Sequence, residues 1–312
     1  MSNFKDFPMR LPMRFGPTPG GHGLVMPEAD VSFVKRKFLD IPYASFSDAE
    51  KLDIYLPESG DGPFPVFLQI HGGGFEIGDK RDIQALPFLK VIERGYAMIS
   101  INYRLSSEAV FPAAVQDVKA AVRWIRANQA HYYLDGNRIA ACGGSAGGNL
   151  AAMLGVTGKT DAFDDPQLGN MTYPSNVQAV VDWFGPIDFL TMDVQATQNG
   201  FGLTDHSEPF SPESKYLGAP IWEIPEKVKS ANPTTYIHPG MPPFFIQHGS
   251  DDYLVPVQQS INFAQAIKDR FPEIPVQFEI TEHAGHGDPL FETDSNLDKV
   301  FTFLDKYLLR YQ

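Results

Sequence analysis

The stretch Arg138–Ala152, RIAACGGSAGGNLAA, decides the fold. Its apolar beginning, Arg138–Gly143, predicts a buried strand, and the small apolar residues of Gly147–Val156 predict a helix. Between them, Gly143-Gly144-Ser145-Ala146-Gly147 matches the G-x-S-x-G pattern of a sharp strand-to-helix turn that lifts a serine hydroxyl clear of a sheet. Glycine tolerates the strained backbone angles that such a turn needs. We therefore predict that Ser145 is a nucleophile.

Apolar runs on either side of this turn alternate with segments of helical periodicity. Further strands are predicted at Val31–Leu39, Leu52–Leu56, Pro65–His71, Tyr96–Asn102, Gln178–Phe184, Pro243–His248 and Val276–Thr281. Further helices are predicted at Ile83–Arg94, Pro112–His131, Gln258–Arg270 and Asp294–Leu309. The alternation predicts an α/β fold: a mainly parallel sheet, with its first two strands antiparallel, covered by helices on both faces.

The organisation of the chain is expected to be one domain over residues 1–312, since that length suits a single large α/β domain. Residues 1–30 are rich in proline and glycine and are expected to form an irregular arm. Residues 188–240 break the alternation and are rich in proline, glycine and aromatic residues. An insertion of this length is usually functional, often a lid, and the alternative is a surface loop without function.

Charge and composition exclude several classes of function. The chain has 25 Lys and Arg against 38 Asp and Glu, a net charge of −13, so we expect neither a nucleic acid nor a membrane as partner. No apolar run of about 18 residues predicts a membrane span. The first residues lack the apolar core of a signal peptide, which favours the cytoplasm, or secretion if such a signal has been removed. A single cysteine, Cys142, excludes an intrachain disulfide and a cysteine-rich metal site.

A run of three glycines follows the predicted strand Pro65–His71, in His71-Gly72-Gly73-Gly74-Phe75. Such a loop exposes backbone N–H groups that can bind an oxyanion, and the N–H of Ala146 at a helix N-terminus is a second source of donors. A phosphate-binding loop is the competing interpretation. It fails because no Lys-Ser or Lys-Thr pair follows the glycines.

A serine nucleophile needs a base, and the base an acid that orients it. Five histidines follow the serine, and His286 stands in a flexible loop after the predicted strand Val276–Thr281, with His283 as its main rival. The acid is expected after the strand Pro243–His248, where Asp251 and Asp252 are adjacent. Spacing from that strand does not choose between the two aspartates.

The four motifs HGGGF, GGSAGG, HGSDDYLVP and AGHG, in this order, resemble those of the α/β-hydrolase esterases, above all the hormone-sensitive-lipase-like group. Two further stretches, Phe111–Asn128 and Val180–Phe189, are similar to the bacterial acetyl-esterase and feruloyl-esterase-like branch. The resemblance extends over residues 30–312. It implies the α/β-hydrolase fold and a serine carboxylesterase that forms an acyl-enzyme on a small-molecule ester.

The resemblance also implies roles for individual residues. Ser145 is the expected nucleophile and His286 the expected base. The family pattern H-G-x-x-D-x-x-V-P selects Asp252, since Val255-Pro256 fixes its register. The oxyanion donors implied are Gly73, Gly74 and Ala146, with Gly72 as an alternative. No metal and no organic cofactor are expected.

Substrate preference is the least determined property. We expect Phe75, Trp183, Trp222 and Leu254 to contact the substrate, because aromatic side chains can stack on a phenolic acyl group. Short-acyl esters and aromatic, feruloyl-type esters are both compatible with this set. The alternatives are an amidase or formamidase with the same triad, and a catalytically silent hydrolase fold that serves as a ligand receptor. The oligomeric state stays open, with a homodimer as one alternative.

Overall fold

The computed structural model describes residues 26–309. Eight strands form one sheet: β1 (Lys37–Pro42), β2 (Lys51–Tyr55), β3 (Phe64–Ile70), β4 (Ala97–Ile101), β5 (Leu134–Gly144), β6 (Ala179–Trp183), β7 (Phe244–Gly249) and β8 (Val276–Thr281). Their order is β1-β2-β4-β3-β5-β6-β7-β8. Strand β2 is antiparallel to both of its neighbours, and all pairs from β4 to β8 are parallel. The predicted α/β fold with a mainly parallel sheet is confirmed.

The helices cover both faces of this sheet. They are α1 (Ala113–Asn128), α2 (Ala146–Thr157), α3 (Met192–Asn199), α4 (Pro212–Leu217), α5 (Pro225–Ala231), α6 (Gln258–Arg270) and α7 (Asp294–Leu308). Alternate residues of β3 show the two layers: Val66 and Leu68 belong to the core beneath α1, α2 and α6, whereas Phe67 belongs to the core beneath α7. Strands buried on both faces explain why the sequence shows apolar runs rather than alternation.

Three predicted elements differ from the structure. Within Val31–Leu39 the strand begins only at Lys37, because the preceding residues form a turn in which Val34 N–H donates to Val31 O (3.2 Å). Residues 83–94 form two 3-10 segments, Ile83–Ala85 and Pro87–Arg94, since Pro87 has no N–H to continue the first one. Strand β5 begins at Leu134, four residues early, where it pairs with Phe64.

The expected arm is only partly described. Residues 1–25 lie outside the described residues. Of the remainder, Ala29 donates its N–H to Arg81 O (2.8 Å) and Pro27 O accepts from Ile83 (2.9 Å), so residues 26–30 pack beside the segment that follows the glycine loop. Within residues 26–309, no helix is long and apolar enough to cross a membrane.

The interval between β6 and β7 holds the segment 188–240. It contains α3, α4 and α5, of which the longest has eight residues, together with short 3-10 turns. Its inner side chains Phe189, Met192, Tyr216 and Leu217 are buried in the main core. Its outer surface carries exposed apolar residues, among them Val194, Phe210 and Trp222. The segment therefore packs firmly on the sheet while leaving apolar groups at the surface.

Candidate active site

Ser145 occupies the sharp turn between β5 and α2. Its backbone angles are φ 58° and ψ −125°, which are strained for a residue with a side chain. The turn is held by Ser145 N–H, which donates to Trp183 O (2.9 Å). A Cβ at Gly147 would lie 2.1 Å from Ile70 O, so only glycine allows α2 to begin this close to β3. The conformation predicted from the G-x-S-x-G pattern is present.

A continuous chain of hydrogen bonds runs from this serine to a carboxylate. His286 Nε2 lies 2.8 Å from Ser145 Oγ, and His286 Nδ1 lies 2.7 Å from Asp252 Oδ2. Both partners are shielded from solvent, since the side chains of His286 and Asp252 are 4% and 0% exposed. Because a carboxylate accepts the Nδ1 hydrogen, Nε2 is left able to take the proton of the serine hydroxyl.

The second oxygen of Asp252, Oδ1, accepts the backbone N–H groups of Leu254 and Val255 (2.9 Å each). Burial alone would raise the pKa of Asp252, but the charges and hydrogen bonds of His286 and His248 outweigh it and hold that pKa well below its ordinary value. The carboxyl is therefore ionised throughout the neutral range.

The alternatives that spacing left open lie away from this chain of hydrogen bonds. The Asp251 carboxylate is 3.7 Å from His283 Nδ1, and both side chains are exposed, at 58% and 88%. Asp251 Oδ1 also accepts the hydroxyl of Ser250 (2.7 Å). Neither Asp251 nor His283 contacts Ser145 or His286.

His248 is a supporting residue that the sequence did not single out. It is fully buried on β7, and its Nε2 lies 2.8 Å from Val255 O and 3.2 Å from Asp252 Oδ2. Both neighbours only accept, so Nε2 carries the hydrogen, and Ser260 Oγ lies 2.7 Å from Nδ1. His248 thus holds the Asp252 carboxylate in position through Oδ2, the oxygen that also faces His286. The sequence signal for His248 is its position at the start of the stretch HGSDD, which also contains the expected acid.

The glycine loop lies beside the serine and is firmly braced. The His71 ring stacks on Tyr103 at 4.4 Å, and Tyr103 OH donates to His71 O (2.9 Å). Gly73 has φ 118°, and a Cβ there would lie 2.2 Å from Ile77 O. The N–H of Gly72 already donates to Gln84 Oε1 (3.1 Å), which points to the two later glycines as the available donors.

Two cavities flank Ser145. The larger, about 340 Å³, is reached by Gly73, Gly74, Ala146 and His286, and its walls are mostly apolar: Phe75, Ile77, Pro186, Leu203, Phe210, Pro212, Leu254 and Val255. The smaller, about 50 Å³, also reaches Ser145 and His286. Its other walls include four aromatic and four polar residues: Phe88, Trp183, Phe184, Phe291, Gln69, Gln84, Asp288 and Glu292. Ser145 is therefore open to two spaces of very different size, which can each hold a different part of a bound molecule.

The four expected substrate-contacting residues are distributed unevenly. Phe75 and Leu254 line the larger cavity, and Phe75 is stacked on Tyr216 at 3.8 Å. Trp183 lines the smaller cavity, where its Nε1 donates to Gln247 Oε1 (2.7 Å). Trp222 is 62% exposed and lies outside the walls of both cavities. Within residues 26–309, no group of three or more His, Cys, Asp or Glu side chains could hold a metal ion.

The chain is similar to known esterases in both sequence and structure. A family model described as BD-FAE matches residues 52–267. Esterase LipQ of Mycobacterium tuberculosis (strain ATCC 25618 / H37Rv) is 34% identical over 233 residues, which are 74% of this chain and 52% of LipQ. The probable carboxylic ester hydrolase LipM of the same strain is 32% identical over 250 residues, 78% of this chain and 55% of LipM. The chain therefore spans about half the length of the curated relatives it matches.

Among solved structures, a truncated carbohydrate esterase from gut microbiota is similar with a TM-score of 0.79 and 30% identity. The match covers 91% of this chain and 100% of that one. A thermophilic esterase from Thermogutta terrifontis, Est2, superposes with a TM-score of 0.70 over 90% of this chain and 96% of its own. Its identity of 24% supports a shared fold and nothing more.

Proposed function

The chain belongs to the BD-FAE family and has the α/β-hydrolase fold, and on that basis we propose that it is a carboxylic ester hydrolase acting through Ser145, His286 and Asp252. The observation that carries the proposal is the pair of hydrogen bonds of 2.8 Å and 2.7 Å that connects the three side chains. A serine beside an oriented, buried imidazole is the arrangement that activates a hydroxyl for attack on a carbonyl.

The mechanism follows from the positions of these groups. Ser145 Oγ attacks the ester carbonyl carbon while His286 Nε2 takes its proton, and the ionised Asp252 stabilises the imidazolium that forms. The imidazolium then gives the proton to the departing alcohol oxygen as the acyl–serine ester forms. Water then attacks the carbonyl carbon of the acyl-enzyme while His286 Nε2 takes its proton, and the imidazolium returns that proton to Ser145 Oγ as the bond to the acyl group breaks and the carboxylic acid is released.

The negative oxygen of each tetrahedral intermediate needs donors fixed in advance. We propose the N–H groups of Gly73, Gly74 and Ala146. All three residues line the larger cavity beside Ser145, and Ala146 begins α2, whose N-terminal dipole favours an anion. Because the N–H of Gly72 is bound by Gln84, it contributes to the shape of the loop instead.

The two cavities support esters with one small and one bulky part. About 50 Å³ holds one or two groups of the size of water, which suits a methyl or acetyl group. About 340 Å³ of mainly apolar space is at the lower end of the range for small-molecule sites and suits an aromatic group of feruloyl type. Acetyl esters and feruloyl-type esters, including those of carbohydrates as in the structural relative, are therefore the proposed substrates.

A panel of esters tests this proposal. Kinetics on 4-nitrophenyl esters of increasing acyl length, on methyl ferulate and on an acyl amide matched to one ester would give kcat/KM for each. We expect turnover of the acetyl ester and of methyl ferulate, with the amide far slower. After incubation with a diethyl organophosphate, mass spectrometry is expected to find a diethyl phosphate group attached to Ser145. Preferential cleavage of the amide would identify an amidase, and the absence of both turnover and label would contradict the proposal.

A further inference from the structure

The segment of residues 26–30 is anchored to the body of the protein. Glu28 forms an antiparallel bridge with Asp82, and backbone hydrogen bonds connect the residues on either side of both. The side chains of Ala29 and Val31 are only 4% and 7% exposed and belong to the core beneath α7. Hydrogen bonds and apolar burial therefore both hold this segment against residues 81–83.

Residues 81–83 are in turn connected to the active site through Gln84. Its Nε2 donates to Asp82 Oδ2 (2.9 Å), and its Oε1 accepts the N–H of Gly72 (3.1 Å). Gly72 is next to the proposed nucleophile, since a Cβ at this glycine would lie 3.3 Å from Ser145 Cβ. The segment 26–30 is therefore held at a fixed position relative to Ser145.

Met26, the first residue of this segment, lines the smaller cavity together with Ser145 and His286. Its side chain is partly exposed, so it lies where the cavity meets the surface of the protein. Methionine is unbranched and flexible, and its side chain fills irregular spaces readily. Met26 is therefore the wall that bounds the smaller cavity on the side of the N-terminal segment.

Other walls of the smaller cavity are fixed by packing or by hydrogen bonds. The ring centroid of Trp183 lies 4.8 Å from that of Phe88 and 5.7 Å from that of Phe291, and each of these side chains is 3% exposed or less. The Asp288 carboxylate accepts two backbone N–H groups. Shortening one of these side chains would disturb the core or a hydrogen bond, whereas the length of the partly exposed Met26 can vary without either consequence.

We propose that Met26 is a specificity-determining residue, whose side chain limits the ester group in the smaller cavity to about the size of a methyl or acetyl group. This inference rests on the proposed ester hydrolysis at Ser145, which lines the same cavity. With Met26 in place the cavity measures about 50 Å³. Alanine at this position would remove the thioether end of the side chain, and a longer alkyl chain would then fit. The limited group is an acetyl on the acyl side or a methyl on the alcohol side, since the same wall bounds either.

Two pairs of esters test the two sides of the ester bond. The first pair, 4-nitrophenyl acetate and 4-nitrophenyl butyrate, differs in the acyl chain, and the second, methyl ferulate and butyl ferulate, differs in the alcohol. We expect kcat/KM of the wild-type protein to favour the shorter member of one pair by about tenfold or more, since a closed pocket rejects methylene groups that do not fit. The pair that shows the preference identifies the side of the ester that occupies the smaller cavity.

Two variants of opposite effect then assign the preference to Met26. In Met26→Ala the ratio of kcat/KM between the shorter and the longer ester of that pair should fall by about tenfold, because the additional CH2 groups gain apolar space. In Met26→Phe the ratio should rise, because the ring fills more of the cavity. A merely structural role would lower kcat/KM equally for both esters and leave the ratio unchanged.

Met171→Ala is the matched control. Met171 is 40% exposed and lines neither cavity, so we expect this variant to keep the wild-type ratio. Thermal unfolding checks that each variant is folded. Met26→Ala carries the test if Met26→Phe does not fold.

The outcomes separate this inference from the proposed function. Wild-type protein that cleaves the two members of each pair equally well would overturn the role of Met26. A ratio that Met26→Ala leaves unchanged, that falls in both Met26 variants, or that Met171→Ala changes to the same extent would also overturn it. Ester hydrolysis would stand in all of these cases, because the wild-type protein still cleaves 4-nitrophenyl acetate. Wild-type protein that cleaves none of the four esters would instead contradict the proposed function.

Discussion

The proposed catalytic residues and the insertion differ in how strongly the local sequence restricts their structure. Ser145, Asp252 and His286 each follow a strand of the sheet. The backbone around Ser145 is packed too closely for a side chain at some positions: a Cβ at Gly147 would lie 2.1 Å from Ile70 O. Residues 188–240 consist of helices of at most eight residues and carry much of the exposed apolar surface, including Val194, Phe210 and Trp222. Both regions meet at the larger cavity.

This difference suggests a division of roles. In the proposed mechanism, the ends of the strands supply the nucleophile, the base and the acid, and the hydrolysis of any ester requires all three. The insertion supplies five residues to the wall of the larger cavity: Leu203, His206, Phe210, Pro212 and Glu213. Substitutions at the strand ends should therefore lower kcat for all esters, whereas substitutions in the insertion should change the ranking among esters. The predictions below test that division, beginning with the largest effect.

The largest effect is expected for Ser145→Ala. It removes the nucleophile, so kcat should fall by at least about 10³-fold for every ester in the panel. Steady-state hydrolysis of 4-nitrophenyl acetate measures this loss, and thermal unfolding checks that the variant is folded. Alanine in place of serine keeps the same strained turn, so the melting temperature should change little. Turnover near the wild-type value would show that another group performs the chemistry.

The next largest effect is expected behind the triad, at His248→Leu. Without its Nε2–H, Asp252 loses one of the groups that fix its position, and misplacement of this kind can lower kcat by about 10- to 100-fold. His248→Gln places an amide N–H where Nε2 lies and should recover most of the loss. Because neither His248 nor Asp252 lines either cavity, KM should stay close to the wild-type value in both variants. Equal losses in the two variants would show that His248 serves packing alone.

The strands and the sharp turn at Ser145 could be predicted from sequence for a physical reason, whereas the choice between Asp251 and Asp252 needed the family resemblance. A strand-to-helix turn such as GGSAG restricts the backbone so strongly that few sequences fit it, and the run of glycines at 72–74 is restricted in the same way. The predicted helix Ile83–Arg94 is present as two 3-10 segments, because Pro87 has no N–H to continue the hydrogen bonding of the first one, a local effect that periodicity does not register. The contact between His206 and Glu213 could not be predicted from sequence, because these two residues are seven positions apart and meet only in the folded insertion.

A smaller effect, on stability, is expected at Asp182 on β6. This side chain is fully buried, and its Oδ2 has no hydrogen-bond partner among the described residues. Burial raises the pKa of Asp182 to about 6, although Gly185 N–H and His248 lower it in part. The unfolded carboxyl ionises near its ordinary value of 3.8, so between that pH and about 6 the unfolded chain has lost its proton and the folded chain has not. Stability should therefore fall as the pH rises through this window.

Asp182→Asn removes the titration and should raise the free energy of unfolding by about 1–2 kcal/mol above pH 6, with little gain near pH 4. Urea unfolding at pH 4, 5, 6 and 8 would measure the difference. The matched control is Asp117→Asn: the pKa of Asp117 is also about 6, yet Arg104 binds its carboxylate at 2.6 Å. That change removes the hydrogen-bonded carboxylate of a buried cation, leaves it only Glu50 Oε1 at 3.8 Å, and should destabilise the protein by about 3 kcal/mol. A loss of stability in both variants would contradict the account of Asp182.

The smallest effect is expected at Trp222, on the outer surface of the insertion. Aromatic content alone favoured a role in substrate binding, but its indole is 62% exposed and outside both cavities. Trp222→Ala should therefore change kcat/KM by less than about twofold for acetyl and feruloyl-type esters and shift stability by under about 0.5 kcal/mol. Leu254→Ala, which enlarges the larger cavity beside Ser145, should change the ratio between those esters. A stronger effect of Trp222 than of Leu254 would mean that the insertion closes over the substrate and brings Trp222 to it.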